Sequence, residues 1–270
     1  MSSPHPIIDV TDLDDPRLAD YRALKERHLN EEGGRFIAEG ERVVRRLLTS
    51  NLRMSSVFLT PARVASLEDA LALRPETPVY RAPPAVFDAI AGFPVHRGCL
   101  AIGERPRPTS LPPHARTVVV LEDLVDVDNL GAMARNAAAL GADALVLSPR
   151  AADPFYRKAI RVAVGAMFTL PVLRLARWPD DLVALARTHE LTLVGAVVRP
   201  DAVPLARFVR PPGVALLLGS EGPGLTPGAI AACDQLITIP MAGGADSLNV
   251  ATAGAVILHH LQQPGAMPTR

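Results

Sequence analysis

The sequence PMAGGADSLNVA at residues 240–251 joins a polar, glycine-bearing loop to a run of very small residues that predicts a closely packed helix. About twenty residues earlier, LGSEGPGL at residues 218–225 follows the apolar run 214–218, which predicts a strand. Glycines at a strand end let the backbone approach a ligand closely. Because open α/β folds bind small ligands at the carboxyl ends of their strands, the two loops predict a ligand site in the C-terminal half of the chain.

Apolar strands alternate with helices around these two loops. Continuous apolar runs at residues 118–121 and 144–147 predict buried strands, and a helix is predicted between them at 130–140. The further predicted elements are strands at 191–197 and 236–239 and helices at 157–164, 180–189 and 249–261. Buried strands that alternate with helices predict a mainly parallel sheet covered on both faces, so the expected fold class is α/β.

A proline-rich stretch divides the chain into two predicted domains. Residues 103–114 contain four prolines in twelve residues, which favours an extended linker. We expect an N-terminal domain at residues 1–105, a linker at 106–115 and a larger C-terminal domain at 116–270. The first domain is predicted to be a small α/β unit, with helices at 17–30, 40–50 and 84–90 and strands at 34–37 and 54–59.

Composition excludes several classes of protein. The 270 residues contain no apolar run long enough for a membrane span, and the N-terminus lacks the features of a signal peptide, so we expect a soluble, cytoplasmic protein without membrane partners. Cys99 and Cys233 lie far apart and outside any CxxC pattern, which predicts neither a disulfide framework nor a metal site.

The net charge is zero, and the basic residues between 17 and 53 are interleaved with acidic ones. A solvated helix face and an RNA-binding patch explain that mixture equally well.

Three segments carry candidate functional residues, and each has an ordinary explanation when taken alone. In residues 126–137, Asp128 or Asn129 can cap the helix, and Arg135 lies away from the predicted apolar stripe. Residues 219–224 form neither a GxGxxG motif nor a P-loop and could be a plain turn. Either Ser247 or Asn249 could simply cap the last helix.

The order and spacing of the three segments carry more information than each alone. Asn129-x-Gly131-x-x-x-Arg135, then Gly219-x-Glu221-Gly222-x-Gly224, then residues 239–241 leading into 247–251, resemble the three signature motifs of the SpoU/TrmH family of RNA ribose methyltransferases, within the SPOUT superfamily. Residues 36–44 and 97–101 also resemble the ribosomal-protein-like substrate-binding domain of that family. The resemblance covers most of residues 20–262.

The resemblance implies a C-terminal SPOUT domain tied in a trefoil knot, with a smaller N-terminal α/β domain. It further implies a homodimer paired through the C-terminal domain, and S-adenosylmethionine as cofactor. The positions that match the cofactor loops of the family are Leu218, Gly219, Glu221, Gly222, Ile239, Met241, Ser247, Leu248 and Asn249. The positions implied for catalysis are Arg135, Asn129, Glu221, Ser247 and Asn249.

The implied reaction is methyl transfer to a ribose 2′-hydroxyl of RNA. Arg135 is expected to grip a neighbouring phosphate rather than act as a base, because a guanidinium loses its proton only above about pH 12. Ribosomal RNA is the favoured substrate, and tRNA is the alternative. Where many relatives have a serine within Arg-x-Ser-x-Gly, this chain has Ala163, which keeps open a knotted RNA-binding assembly factor without transfer activity. An oxidoreductase is disfavoured because no GxGxxG follows a first strand.

Overall fold

The computed structural model describes residues 6–22, 34–92, 98–108, 110–242 and 246–263. The chain forms two compact units, one made of Met1–Pro106 with Phe155–Thr169 and the other of Arg107–Pro154 with Leu170–Arg270. The division at residues 106 and 107 lies inside the predicted linker. Residues 155–169, however, were expected in the C-terminal domain and lie in the first unit. No helix in the described ranges is long and apolar enough to span a membrane.

The first unit is a mixed five-stranded sheet with helices around it. Its strands are β1 (Ile7–Asp9), β2 (Arg35–Glu39), β3 (Met54–Leu59), β4 (Val79–Arg81) and β5 (Cys99–Glu104), in the order β1-β4-β3-β5-β2. Its helices up to residue 106 are α1 (Ala19–Arg22), α2 (Glu41–Leu48), α3 (Pro61–Ser66), α4 (Glu68–Leu71) and α5 (Pro84–Ala91). The predicted helix at 17–30 begins as a 3₁₀ turn and continues as α1, and its residues 23–30 lie outside the described ranges. Phe58 stacks on Phe87 at 4.3 Å in the core of the unit.

The second unit is a seven-stranded sheet in which all pairings are parallel. Its strands are β6 (Thr117–Leu121), β7 (Ala144–Leu147), β8 (Val172–Arg174), β9 (Thr192–Ala196), β10 (Val203–Pro204), β11 (Val214–Leu218) and β12 (Gln235–Thr238), in the order β10-β12-β9-β11-β6-β7-β8. The helices after residue 106 are α6 (Val127–Ala139), α7 (Arg157–Val162), α8 (Asp180–Thr188), α9 (Pro227–Ala232) and α10 (Val250–Leu261). The predicted parallel α/β architecture is confirmed for this unit.

Residues 155–169, which include α7, pack within the first unit through aromatic contacts. The ring of Phe36 on β2 lies 5.1 Å from that of Phe155 and 5.3 Å from that of Phe168. At the end of α7, Val164 adopts a φ of +52°, a left-handed conformation that β-branched residues rarely take. The guanidinium of Arg46 on α2 donates a hydrogen bond of 2.8 Å to the Val164 carbonyl. The segment is therefore an integral part of the first unit despite its position in the sequence.

Helix α6 begins one turn earlier than predicted. Its N-cap is Asp126, whose carboxylate accepts a hydrogen bond of 2.8 Å from the main-chain N–H of Asn129. The prediction that Asp128 or Asn129 caps this helix is therefore wrong, because Asp126 already satisfies the free N–H of the first turn. As a consequence, the Asn129 side chain is available for other contacts.

Helices α6 and α10 pack closely because small residues line their contact. A Cβ atom on Gly254 of α10 would overlap the side chain of Met133 on α6 and would lie 3.0 Å from that of Leu218. The amide of Asn136 also donates a hydrogen bond of 2.8 Å to the Ala251 carbonyl. This packing holds α6 and the start of α10 next to the carboxyl end of β11.

Candidate functional site

A cleft of about 580 Å³ lies at the carboxyl ends of β9, β11 and β12. The strand register explains its position, since Leu217 of β11 pairs with Gly195 of β9, and Ile237 of β12 pairs with Ala196 of β9. All nine positions predicted to bind cofactor line this cleft, namely Leu218, Gly219, Glu221, Gly222, Ile239, Met241, Ser247, Leu248 and Asn249. Residues 218–222, 239, 241 and 247–249, which come from separate parts of the sequence, thus line one cavity.

The loop at residues 219–225 is a compact turn in which residues 221–223 are exposed. The main-chain N–H of Gly224 donates to the Ser220 carbonyl at 3.1 Å. Gly222 and Gly224 have φ values of +83° and +70°, which only glycine adopts readily. A Cβ atom on Gly219 would overlap backbone atoms of Gly224 and Leu225. The turn can close only because these positions are glycines.

Three side chains from the three motifs form a hydrogen-bonded triangle next to the cleft. The Asn129 amide donates to Oε1 of Glu221 at 2.6 Å. The Asn249 amide donates to Oδ1 of Asn129 at 2.8 Å and to the same Glu221 oxygen at 3.0 Å. We call Asn129, Glu221 and Asn249 the amide–carboxylate triangle. It links the first turn of α6, the 219–225 loop and the start of α10.

Asn249 both caps a helix and joins the triangle. Its Oδ1 accepts hydrogen bonds of 2.9 Å from the Ala251 N–H and 3.3 Å from the Thr252 N–H. Because the amide oxygen is occupied by the cap, its Nδ2 group must point toward Asn129 and Glu221. Ser247 lines the cleft and is exposed, but it does not cap the helix. The capping interpretation is therefore correct for Asn249 without excluding a functional role.

Arg135 lies on the exposed face of α6, as the helical pattern predicts. It is six residues beyond Asn129, which corresponds to about 9 Å along the helix axis. It makes no hydrogen bond or ion pair with the described part of the chain, in contrast to Arg150 and Arg199. An exposed guanidinium without a carboxylate partner is free to bind an anion from solution.

Sequence reasoning missed the part of the cleft wall that follows β9. Residues 196–199 line the cleft, and Arg199 forms an ion pair of 2.6 Å with Asp201. The hydrogen bond from Arg199 lowers the pKa of the Asp201 carboxyl. These residues carry no glycine motif, and the only signal in the sequence was that they lie at the end of a predicted strand, residues 191–197.

A second polar cluster, also missed, orders the loops after β6 and β7. Asp123 adopts a φ of +50° and accepts hydrogen bonds from the Ser148 hydroxyl at 2.9 Å and from the Arg150 guanidinium. These contacts, chiefly that with Arg150, lower the pKa of the Asp123 carboxyl. Arg174 donates to the carbonyl of Ala151 at 2.7 Å, and so fixes the same loop from β8.

Other sequence expectations concern residues outside the cleft. Ala163 is fully buried, so a serine hydroxyl at this position would be shielded from solvent in the first unit. Cys99 is buried and Cys233 is half-buried, and burial raises the pKa of the Cys233 thiol to about 12.

Among the described residues no cluster of three potential metal ligands occurs. Several basic side chains of the first unit are engaged by carboxylates, including Arg17 by Asp15, Arg35 by Asp20 and Arg45 by Asp69.

Comparisons with known proteins agree with the motif assignment. The model of the SpoU rRNA methylase family matches residues 116–259, and that of the MRM3-like substrate binding domain matches residues 15–101. A protein of Mycobacterium tuberculosis, described as an uncharacterized tRNA/rRNA methyltransferase, is 41% identical over 269 residues, which cover 95% of this chain and 92% of the relative. The 23S rRNA (guanosine(2553)-2′-O)-methyltransferase RlmP of Bacillus subtilis is 35% identical over 55% of this chain and 58% of its own length.

Solved structures with the same architecture include two that contain AdoMet. The AdoMet-bound rRNA methyltransferase of Sinorhizobium meliloti has a TM-score of 0.82 at 26% identity and covers 95% of this chain and 98% of its own. The SpoU methyltransferase AviRb of Streptomyces viridochromogenes, in complex with AdoMet, has a TM-score of 0.77 at 25% identity and covers 92% and 97%. The family match spans more than half of the sequence, and so the chain belongs to the SpoU rRNA methylase family, as its three motifs predict.

Proposed function

We propose that the protein transfers the methyl group of S-adenosylmethionine to a ribose 2′-hydroxyl of ribosomal RNA. The observation that carries this proposal is the amide–carboxylate triangle, which unites all three motif segments next to one cleft. The ribosomal substrate is supported by the name of the Bacillus subtilis relative, which is a 23S rRNA 2′-O-methyltransferase. A tRNA substrate is the alternative.

The cleft fits the proposed cofactor in size and in chemistry. Its volume lies within the range of about 300–1,000 Å³ that is usual for small-ligand sites. The main-chain groups of Leu218, Gly219, Ile239 and Leu248 would hold the adenosine part, since glycines allow close approach of the backbone. When bound, S-adenosylmethionine supplies an electrophilic methyl group on its sulfonium. Glu221, Ser247 and Asn249 would shape the part of the pocket that receives it.

Arg135 is proposed to position the RNA acceptor. The chemistry requires alignment of the 2′-oxygen with the methyl carbon and removal of the hydroxyl proton. An arginine is a poor base near neutral pH but a strong bidentate partner for phosphate. Arg135 would therefore bind a phosphate beside the acceptor ribose. The triangle would keep the first turn of α6, and with it the helix that carries Arg135, in a fixed position relative to the cleft.

The remaining parts of the proposal concern assembly. The first unit would bind structured RNA, which is supported by its match to a substrate-binding domain model. Two copies of the chain would pair through the second unit, and the chain of that unit would form a C-terminal trefoil knot. Size measurement by light scattering tests the dimer, and an experimental structure of the chain tests the knot.

A transfer assay tests the proposed function against its alternatives. The purified protein is incubated with methyl-labelled S-adenosylmethionine and with either ribosomal RNA or tRNA, and cofactor binding is measured in parallel by calorimetry. Label in ribosomal RNA supports the proposal, and label in tRNA alone supports the alternative substrate. RNA binding that needs no cofactor, with no transfer of label to the RNA, would identify an assembly factor. Saturable binding of NAD, with no binding of S-adenosylmethionine, would refute the methyltransferase assignment.

A further inference from the structure

A buried glutamate lies directly behind the cleft. Glu122 follows β6, and only 1% of its surface is exposed. Its Oε1 accepts hydrogen bonds from the indole N–H of Trp178 and from the Thr226 hydroxyl, the latter at 2.6 Å. Its Oε2 accepts from the main-chain N–H of Thr226 at 2.8 Å. Every described partner is a donor, so both carboxylate oxygens accept hydrogen bonds inside the second unit.

Glu122 holds the 219–225 loop from both ends. Its main-chain N–H donates a hydrogen bond of 2.9 Å to the carbonyl of Leu218, the residue before the loop. Its carboxylate binds Thr226, the residue after the loop. Thr226 in turn caps α9 by accepting from the Ala229 N–H at 3.2 Å, and α9 carries Ile230 in the cleft wall. One residue thus fixes the loop and the start of the next helix.

We propose that Glu122 is a positioning residue that keeps the 219–225 loop in the shape that binds the cofactor. The inference rests on the proposed function, because it assigns that loop to S-adenosylmethionine. Neither Glu122 nor Trp178 lines the cleft, so any effect on binding must act through the loop or through the start of α9. Contacts that support a binding surface from behind commonly decide how well its shape is held.

The three donors around Glu122 require a carboxylate, and a glutamine of the same shape cannot replace it. One oxygen of Glu122 receives two donors and the other receives one. In Glu122→Gln the amide NH₂ group must replace one oxygen and would then face an N–H or O–H donor. A buried donor left without an acceptor is costly, and the Thr226 end of the loop would move to relieve it.

The experiment compares cofactor binding with RNA binding in folded variants of the full chain. For Glu122→Gln we expect the Kd for S-adenosylmethionine, measured by calorimetry, to rise at least tenfold, while the Kd for ribosomal RNA stays within twofold. The matched control is Asp143→Asn, because Asp143 accepts the main-chain N–H groups of Arg116 and Thr117 at the opposite end of β6, at 2.7 and 2.8 Å. Asp143→Asn should leave both constants unchanged.

A second pair of variants covers the possibility that Glu122→Gln does not fold. Thr226→Val removes the hydroxyl that donates to Glu122 and caps α9, so it should weaken cofactor binding. Thr226→Ser keeps that hydroxyl and should retain wild-type affinity. Unchanged cofactor affinity in a folded Glu122→Gln or Thr226→Val variant would overturn the inference. Equal weakening by Asp143→Asn would overturn it as well, because the effect would then be general. If the wild-type protein itself does not bind S-adenosylmethionine, the proposed function fails instead.

Discussion

Substitution of Gly219 by alanine probes the closure of the 219–225 loop, which we propose binds the cofactor. The added Cβ atom would overlap the carbonyl carbon and oxygen of Gly224 and the main-chain nitrogen of Leu225. These are backbone atoms, which cannot rotate away as a side chain can. The turn held by the Gly224–Ser220 hydrogen bond must therefore open by about 1 Å to accept the methyl group.

The expected magnitude follows from the cost of this overpacking. Inserting a methyl group against well-packed backbone costs about 1–3 kcal/mol. If the cofactor binds only the closed loop, the same free energy is lost from binding, which corresponds to a rise in Kd of about 5–150-fold. The free energy of unfolding should fall by a similar or smaller amount, since a loop that has opened relieves part of the strain.

Calorimetric titration with S-adenosylmethionine measures the effect, and Gly228→Ala provides the control. Apart from its chain neighbours and its own helix backbone, the nearest atom to a Cβ on Gly228 would be 3.9 Å away. Gly228 lies in α9, where alanine is favoured over glycine by up to about 1 kcal/mol. We expect cofactor affinity within twofold of wild type for Gly228→Ala. Wild-type affinity in Gly219→Ala would refute the assignment of this loop to the cofactor.

Three further predictions address RNA positioning, domain organisation and pH. Arg135→Ala should leave folding and cofactor affinity nearly unchanged, because a substitution at an exposed helix position usually costs under about 0.5 kcal/mol. The rate of single-turnover methyl transfer should nevertheless fall by orders of magnitude. Arg135→Lys should restore that rate only partly. A fragment of residues 114–270 should be poorly soluble, because Phe155 and Phe168 lose their contact with Phe36. Co-expression with residues 1–113 should increase the amount of soluble fragment recovered by size-exclusion chromatography. Because the folded-state pKa of Asp123 is lowered, its ionised form stabilises the fold at neutral pH, and this contribution is lost as the pH falls through the lowered pKa. The loss of stability in Asp123→Asn, measured by urea unfolding, should therefore be present at pH 7 and shrink below about pH 4.

Each of these predictions has a contradicting result. Transfer near the wild-type rate by Arg135→Ala would restore the interpretation of an ordinary solvated arginine. A soluble, monodisperse fragment 114–270 that binds cofactor would mean that residues 155–169 do not need the contact with Phe36 of the first unit. A stability difference for Asp123→Asn that stays constant between pH 3 and pH 7 would exclude ionisation of Asp123 as its cause.

Much of the second unit was predictable because its strands are continuous apolar runs. Strands β6, β7 and β11 lie where their apolar runs predict them, because strands buried on both faces of a parallel sheet are apolar throughout. Strands β8 and β10 have three and two residues, which is too short for any periodicity to emerge. The membership of residues 155–169 in the first unit was not predictable, because it depends on contacts between Phe36 and rings that are more than a hundred residues away.

The site was predictable as a set of segments but not as a geometry. The rule that parallel strands present their carboxyl ends at one edge, together with the family resemblance, placed nine residues that line one cleft. Spacing could not reveal that Asn129, Glu221 and Asn249 bond to one another, since 120 residues separate the two asparagines. Glu122 was missed because a single glutamate after a strand has no signature. Its role depends on Thr226 and Trp178, which are distant in sequence.

The central claim is that the protein methylates the 2′-oxygen of ribose in ribosomal RNA. The most direct measurement is to digest ribosomal RNA to nucleosides after reaction with labelled S-adenosylmethionine and to locate the label by mass spectrometry. The proposed mechanism predicts a single type of 2′-O-methylnucleoside, formed by the wild-type protein and nearly absent with Arg135→Ala. Label on a base, or no label in RNA from a protein that binds the cofactor, would contradict it.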